Sequence, residues 1–78
     1  MIDLMNNINK LHTTKLGVSR IKRNLSINED VVNYCIKIIL DKNSNIYKKG
    51  KNYYCKNGNI KITINSYSYT IITAHKED

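Results

Sequence analysis

No proline, tryptophan or phenylalanine occurs in these 78 residues, and six tyrosines supply all of the aromatic surface. Any stacking by this chain therefore falls to tyrosine. Cysteine is scarce too. Cys35 and Cys55 are the only two, too few for a disulfide scaffold or a zinc site by themselves. No apolar run approaches the ~18 residues that a membrane span needs, and the longest apolar cluster, residues 36–40, is interrupted by Lys37. The amino terminus, Met1 to Asn7, lacks the basic segment and apolar stretch of a secretion signal. These absences predict a cytoplasmic protein with no membrane partner.

Acidic residues are also few, 6 against 13 basic ones, for a net charge of +7. They are scattered and mostly sit at predicted helix ends, so no carboxylate cluster for magnesium is present. A glycine-rich phosphate loop, an HExxH helix and a CxxC pair are equally missing. That excludes the usual metal-dependent nuclease and phosphotransfer sites, and predicts no cofactor and no metal. The positive field favours polyanionic partners such as RNA, DNA or an acidic protein. Ile, Lys and Asn dominate what remains, a bias that suggests a low-GC genome.

Length predicts one domain over residues 1–78. A chain this small buries roughly 60% of its unfolded surface, so a homodimer is one way to add burial. Ile2, Leu4, Met5, Ile8 and Leu11 recur at helical spacing and predict a first helix over about residues 2–11. His12-Thr13-Thr14 breaks it, with Thr14 a good N-cap for a second helix over about 15–24. Val18, Ile21 and Leu25 would face inward, and Gly17 would mark a close backbone approach. The other side carries Lys15, Ser19, Arg20, Lys22 and Arg23. Asn28, Glu29 and Asp30 supply cap and first-turn groups for a third helix over about 29–40. Cys35 falls on its apolar face, as a small core residue.

From Asn45 the period changes to two. Short strands are predicted over 46–48 and 52–56, joined through Lys49-Gly50-Lys51. Asn57-Gly58 is the strongest short hairpin signal and leads into a strand over about 59–65. A fourth strand would cover about 68–75. Ile60, Ile62 and Ile64 share one side and must face the helices, with Ile72 and Ala74 assigned to the same side. Tyr69, Thr73 and His75 would then share an open face with Lys61 and Thr63. The expected architecture is α+β: three N-terminal helices packed on one face of a four-stranded antiparallel meander.

With metal chemistry excluded, an enzyme here would have to work with His, Lys, Arg, Tyr, Thr and Ser. That set suits metal-independent RNA cleavage, in which a base takes the 2′-hydroxyl proton and an acid protonates the leaving 5′-oxygen. His12 and His75 are the candidate catalytic pair, on condition that the junction of the first two helices caps the His75 end of the sheet. Lys15, Arg20 and Lys61 would be the cations, with Thr73 or Tyr69 as hydrogen-bond partners. Each histidine equally suits a plain structural role at an element end. The nucleic-acid-binding set comprises Lys15, Arg20, Lys22, Arg23, Lys48, Lys49, Lys51, Lys61, Tyr67, Tyr69 and Thr73. Tyr53, Tyr54, Tyr67 and Tyr69 could stack bases on an open sheet or simply pack.

The stretches Leu11-His-Thr-Thr-Lys-Leu-Gly-Val-Ser-Arg-Ile-Lys-Arg-Asn-Leu25 and Ser66-Tyr-Ser-Tyr-Thr-Ile-Ile-Thr-Ala-His-Lys76, with residues 50–53 between them, resemble a family of small uncharacterised bacterial proteins. The resemblance spans nearly the whole chain and implies a compact α+β protein without an established activity. The architecture also resembles the barnase/EndoU/RelE-type ribonuclease and toxin group, through Ile72-Thr73-Ala74-His75 alone. The glutamate base of barnase-type members has no counterpart here, and fold likeness does not carry function.

Three readings follow. In the first, the protein acts on nucleic acid, RNA favoured, as a binder or as a metal-independent ribonuclease. In the second, it is a protein-binding inhibitor of a bacterial nucleoprotein, such as a phage counter-defence (anti-CRISPR-like) factor or a toxin–antitoxin partner. In the third, it is a non-catalytic homodimer joined along an exposed strand edge.

Overall fold

The computed structural model describes residues 4–77. A 3-10 helix over Met5–Lys10 leads to two α-helices, α1 (Lys15–Leu25) and α2 (Val31–Leu40). Four strands follow: β1 (Asn45–Lys49), β2 (Asn52–Asn57), β3 (Ile60–Asn65) and β4 (Ile71–Lys76). The strands form one antiparallel sheet in chain order. The expected α+β class and the meander are both present. Among the described residues, no helix is long and apolar enough to cross a membrane.

The first helix differs from expectation. It is a 3-10 segment with a non-helical kink at Asn7 (φ −123°, ψ 22°), in a stretch where two successive asparagines have low helix propensity. Ile2, expected in that helix, lies outside the described residues, as does Asp78 at the end of the chain. The other helices start where their caps are. Thr14 Oγ1 accepts the Gly17 amide at 3.0 Å, and Asp30 Oδ2 accepts the Asn33 amide at 3.2 Å. α1 ends on Ser26 in the left-handed region (φ 57°). Asp41 ends α2, its side chain taking the Asn43 amide at 2.8 Å.

Both tight hairpins place a glycine at the first of two central positions. Asn57 pairs with Ile60 and Lys49 with Asn52, which leaves Gly58-Asn59 and Gly50-Lys51 as the turns. Gly58 and Gly50 have φ of 59° and 61°, while Asn59 and Lys51 do not enter the left-handed region. The second hairpin is thus shifted one residue from the Asn-Gly placement expected, and has the arrangement of a II′ turn.

One face of the sheet supplies the core. Tyr53, Cys55, Ile62, Ile64, Ile71 and Ala74 are buried together with Leu4, Leu11, Ile21, Leu25, Val31, Cys35 and Ile39 from the helical segments. Ile72, assigned inward from the alternation, instead points out and is 40% exposed, whereas Ile71 is 1% exposed. The cause is a β-bulge. Thr63 pairs with Thr73 but Ile64 pairs with Ile71, so one extra residue in β4 reverses the alternation on its amino-terminal side. Tyr69 also changes sides. β4 begins at Ile71 rather than residue 68, and Tyr69 lies before it in a left-handed conformation (φ 58°). Its ring stacks on core-facing Tyr53 at 6.3 Å.

β4 is an edge strand whose outer backbone groups are taken by the chain around α1. The His12 amide donates to the Tyr69 carbonyl (3.2 Å), and the Ile71 amide donates to the His12 carbonyl (2.7 Å). Thr13 Oγ1 donates to the Ile71 carbonyl at 2.9 Å. Asn24 Nδ2 donates to the Ala74 carbonyl at 3.3 Å. Gly17 is buried beside this contact, and a Cβ on it would overlap the Thr13 hydroxyl.

Both cysteines lie in the core as free thiols. Burial first, then the neighbouring Cys55 and Asp30, push the Cys35 thiol from its ordinary 9.0 up to about 12. Burial also raises Cys55, against an opposing hydrogen bond with Ser44. Both thiols are neutral near pH 7 and unreactive as nucleophiles.

Two outcomes are expected. Gly17→Ala must displace the Thr13 hydroxyl from the Ile71 carbonyl, and should lower the stability measured by urea unfolding by about 1–2 kcal/mol. In Thr13→Ala, where that bond and the overlapping hydroxyl are both gone, the same change should cost less. A raised thiol value means that the folded state holds its proton more tightly than the unfolded chain. The thiol contribution is therefore fully present below pH 9.0 and lost as pH rises towards about 12. Stability measured across that window should fall, and fall less steeply in Cys35→Ala.

Candidate nucleic-acid interface

The sheet face opposite the core is set out in rows by the strand register. The middle row is Tyr47, Tyr54, Thr63 and Thr73, and the row beside it is Asn45, Lys56, Lys61 and His75. Towards the β1–β2 turn lie Lys49, Asn52 and Asn65. None of these residues is buried. Tyr47 and Tyr54 face each other across the hairpin with ring centroids 5.4 Å apart and planes at 23°. Lys61 Nζ lies over the Tyr54 ring, 5.0 Å from its centroid. This places a cation and two stacked rings, each with a polar tip, on a surface of short polar side chains.

Four carboxylates occur among the described residues, and three gather around α2. Asp30 caps its start and Asp41 its end, while Glu29 pairs with Lys37 at 3.3 Å. The fourth, Glu77, pairs with Lys56 at 3.3 Å at the rim of the sheet. α1 itself carries Lys15, Arg20, Lys22 and Arg23 and no acid. The positive charge is therefore segregated onto α1 and the sheet, away from α2.

The structure separates the residues that the sequence grouped. His12 does not cap the His75 end of the sheet. It pairs through its backbone with Thr70, just before β4 begins, while Lys61 pairs with His75 near the other end of the strand. Five residues at ~3.3 Å each put the two positions about 16 Å apart. The His12 ring turns to groups at its own end of the strand, so the two imidazoles do not converge on one phosphate. The His12 ring is already engaged. Nδ1 lies 2.9 Å from the Lys10 carbonyl, which can only accept, so Nδ1 carries a proton. Nε2 lies 3.1 Å from Thr70 Oγ1, which in turn contacts Ser68 Oγ at 2.8 Å.

The remaining expected residues are dispersed. Thr73 is on the open face beside Lys61 and His75, as expected. Tyr69 is not, being on the core side with Lys10 Nζ at 5.9 Å from its ring. Tyr67 is 75% exposed in the loop before β4, its amide held by Asn65 Oδ1 at 2.9 Å. Lys15, Arg20 and Arg23 are exposed and Lys22 is half-buried. Lys48, Lys49 and Lys51 are all exposed, but Lys49 falls on the open face and Lys48 on the opposite one. The Tyr47–Tyr54 pair and Lys56 were missed as a group. The signal for the pair is in the sequence, because both tyrosines are equidistant from the two central residues of the Gly50-Lys51 turn, which sets them opposite one another. Among the described residues, no group of three or more His, Cys, Asp or Glu side chains could hold a metal ion.

The family model described as "Protein of unknown function (DUF3781)" matches residues 5–75, and the chain belongs to that family. No curated protein and no solved structure matches it.

The two histidines should respond differently to removal. His12→Ala removes the ring's hydrogen bonds to Lys10 and Thr70 and should lower stability by about 1 kcal/mol. His75→Ala, on the open face, should stay within about 0.5 kcal/mol of the parent. Thermal or urea unfolding of the two variants reads both.

Proposed function

We propose that this DUF3781 protein is a cytoplasmic, non-catalytic binder of single-stranded RNA that uses the open face of its sheet. The observation that carries this reading is the Tyr47–Tyr54 pair with Lys61 over it, on a sheet face whose helical segments pack on the other side. Stacking of a base on an aromatic ring is worth roughly 1–3 kcal/mol and is indifferent to sequence. A four-stranded sheet of this size accommodates two or three bases. Lys49 and Lys61 supply phosphate contacts, while Lys56 is engaged by Glu77. Thr63, Thr73, Asn45 and Asn52 offer hydroxyl and amide groups to base edges or to the ribose 2′-hydroxyl.

Catalysis is the weaker version. Cleavage would need a base and an acid at one phosphate, and His12 and His75 lie towards opposite ends of β4. Edge-to-edge dimerisation is also weaker, since α1 and His12 occupy the β4 edge and the β1 edge carries Lys48 and Lys49. An inhibitor of a nucleoprotein would use the same positive surface without the tyrosine pair, so the tyrosines discriminate between the readings.

Fluorescence anisotropy with a labelled oligoribonucleotide at several salt concentrations tests the proposal. Affinity should fall with salt at a slope of about −0.7 per phosphate contacted. Tyr54→Ala should weaken binding roughly tenfold, and Tyr47→Ala by a similar factor. The oligonucleotide should remain intact in EDTA. Wild-type affinity unchanged in both tyrosine variants, or capture of a nucleoprotein with no affinity for naked RNA, would sink the idea.

A further inference from the structure

α1 is bonded along the β4 edge of the sheet, which brings one side of the helix up to the rim of the open face. Thr13 is bonded to the Ile71 carbonyl and Asn24 to the Ala74 carbonyl, so α1 runs alongside β4 in the same direction. Arg20 lies one turn before Asn24 on the same side of the helix, because residues four apart are stacked. That sets Arg20 level with Ile72 and Thr73. Leu16 lies one turn before Arg20, and Arg23 three residues after it. Leu16 is 75% exposed and Ile72 40% exposed, and Ile72 is turned out by the bulge opposite Ile64. An exposed aliphatic pair thus flanks an exposed arginine at the point where the Tyr47–Tyr54–Thr63–Thr73 row reaches the sheet edge.

Bulges recur where a sheet edge must re-aim a side chain. Here the extra residue removes Ile72 from the core and leaves it exposed next to Thr73 on the edge strand. Large apolar side chains left in water beside a guanidinium suit a ribose or base face together with its phosphate.

We infer that the Leu16–Arg20–Arg23 side of α1 and Ile72 form a second nucleotide subsite, where a single strand crossing the sheet from β1 leaves it. This rests on the RNA-binding reading and adds a direction. Bases stack at the Tyr47–Tyr54 pair, the strand runs across β3 and β4, and the next phosphates meet Arg20 and Arg23. The bonds of Thr13 and Asn24 to the edge carbonyls hold this subsite at a fixed height beside the sheet. Lys15 and Lys22, on the far side of α1, are outside the path.

Oligoribonucleotides of two lengths separate this subsite from the sheet. One of about three nucleotides is sufficient for the stacking face, and one of about eight reaches beyond it. In the intact protein, the longer oligonucleotide should show the steeper salt dependence. Arg20→Gln with Arg23→Gln should reduce its slope by about 1.4, because two phosphates are no longer neutralised, and lower its affinity at least tenfold. The short one should bind as before. Arg20→Lys with Arg23→Lys should restore the slope, and Lys15→Gln with Lys22→Gln should change the long oligonucleotide much less. Circular dichroism of each variant verifies the fold. An unchanged slope for the long oligonucleotide in the Arg20/Arg23 double variant overturns the subsite and leaves the sheet reading intact. Equal loss for both lengths overturns the path, and absence of binding by the parent protein at either length overturns both.

Discussion

The free edge of β4 is the constraint on which the rest of the molecule depends. An edge strand presents a row of unpaired amides and carbonyls, which invites pairing with another chain. Here the backbone of His12 and the side chains of Thr13 and Asn24 take up groups of Tyr69, Ile71 and Ala74. Those bonds link the amino-terminal third of the chain to the carboxy-terminal strand, and they set α1 beside the sheet. The close approach explains Gly17 in the first turn, where any Cβ would meet Thr13. A helix interior normally disfavours glycine by about 1 kcal/mol, so its presence reflects packing, not propensity.

Charge placement follows from that geometry. Glu29, Asp30 and Asp41 serve the ends of α2, and Glu77 is paired with Lys56. α1 and the sheet carry the uncompensated cations. Solubility alone would not require the signs to be sorted between elements, since mixed signs keep a surface soluble equally well. Sorting produces a directional field that attracts a polyanion to one side of the molecule. Tyrosine then supplies contact area that a purely ionic surface lacks, and Lys61 over the Tyr54 ring shows that this face already accommodates a cation against an aromatic plane.

Much of the fold was legible in the chain. The change from helical period to alternation at Asn45, the Thr14 cap, and the inward Ile62 and Ile64 are all local matters, and each is present; α2 starts at Val31 rather than 29, with Asp30 as its cap. The open face was legible in part, through Lys61, Thr63, Thr73 and His75. Three features were not. Ile72 was assigned inward because alternation cannot reveal a bulge, which depends on the partner strand. Tyr69 was placed on the open face by the same counting, although a left-handed residue breaks it. The pairing of His12 with His75 failed because the junction of the first two helical segments docks at the other end of β4, a choice made by hydrogen bonds between residues 58 positions apart.

By itself, the order of residues determined which segments are helical and which extended, and that the product is strongly basic with only tyrosine to stack. Those properties arise from side-chain periodicity, caps and turn glycines acting over a few residues. Tertiary structure alone decided which tyrosines meet, which histidine lies at which end of β4, and that α1 is bonded along the edge of the sheet. Such relations are set by strand register, by one inserted residue and by the bonds that seal an edge. None of these is encoded within a single element.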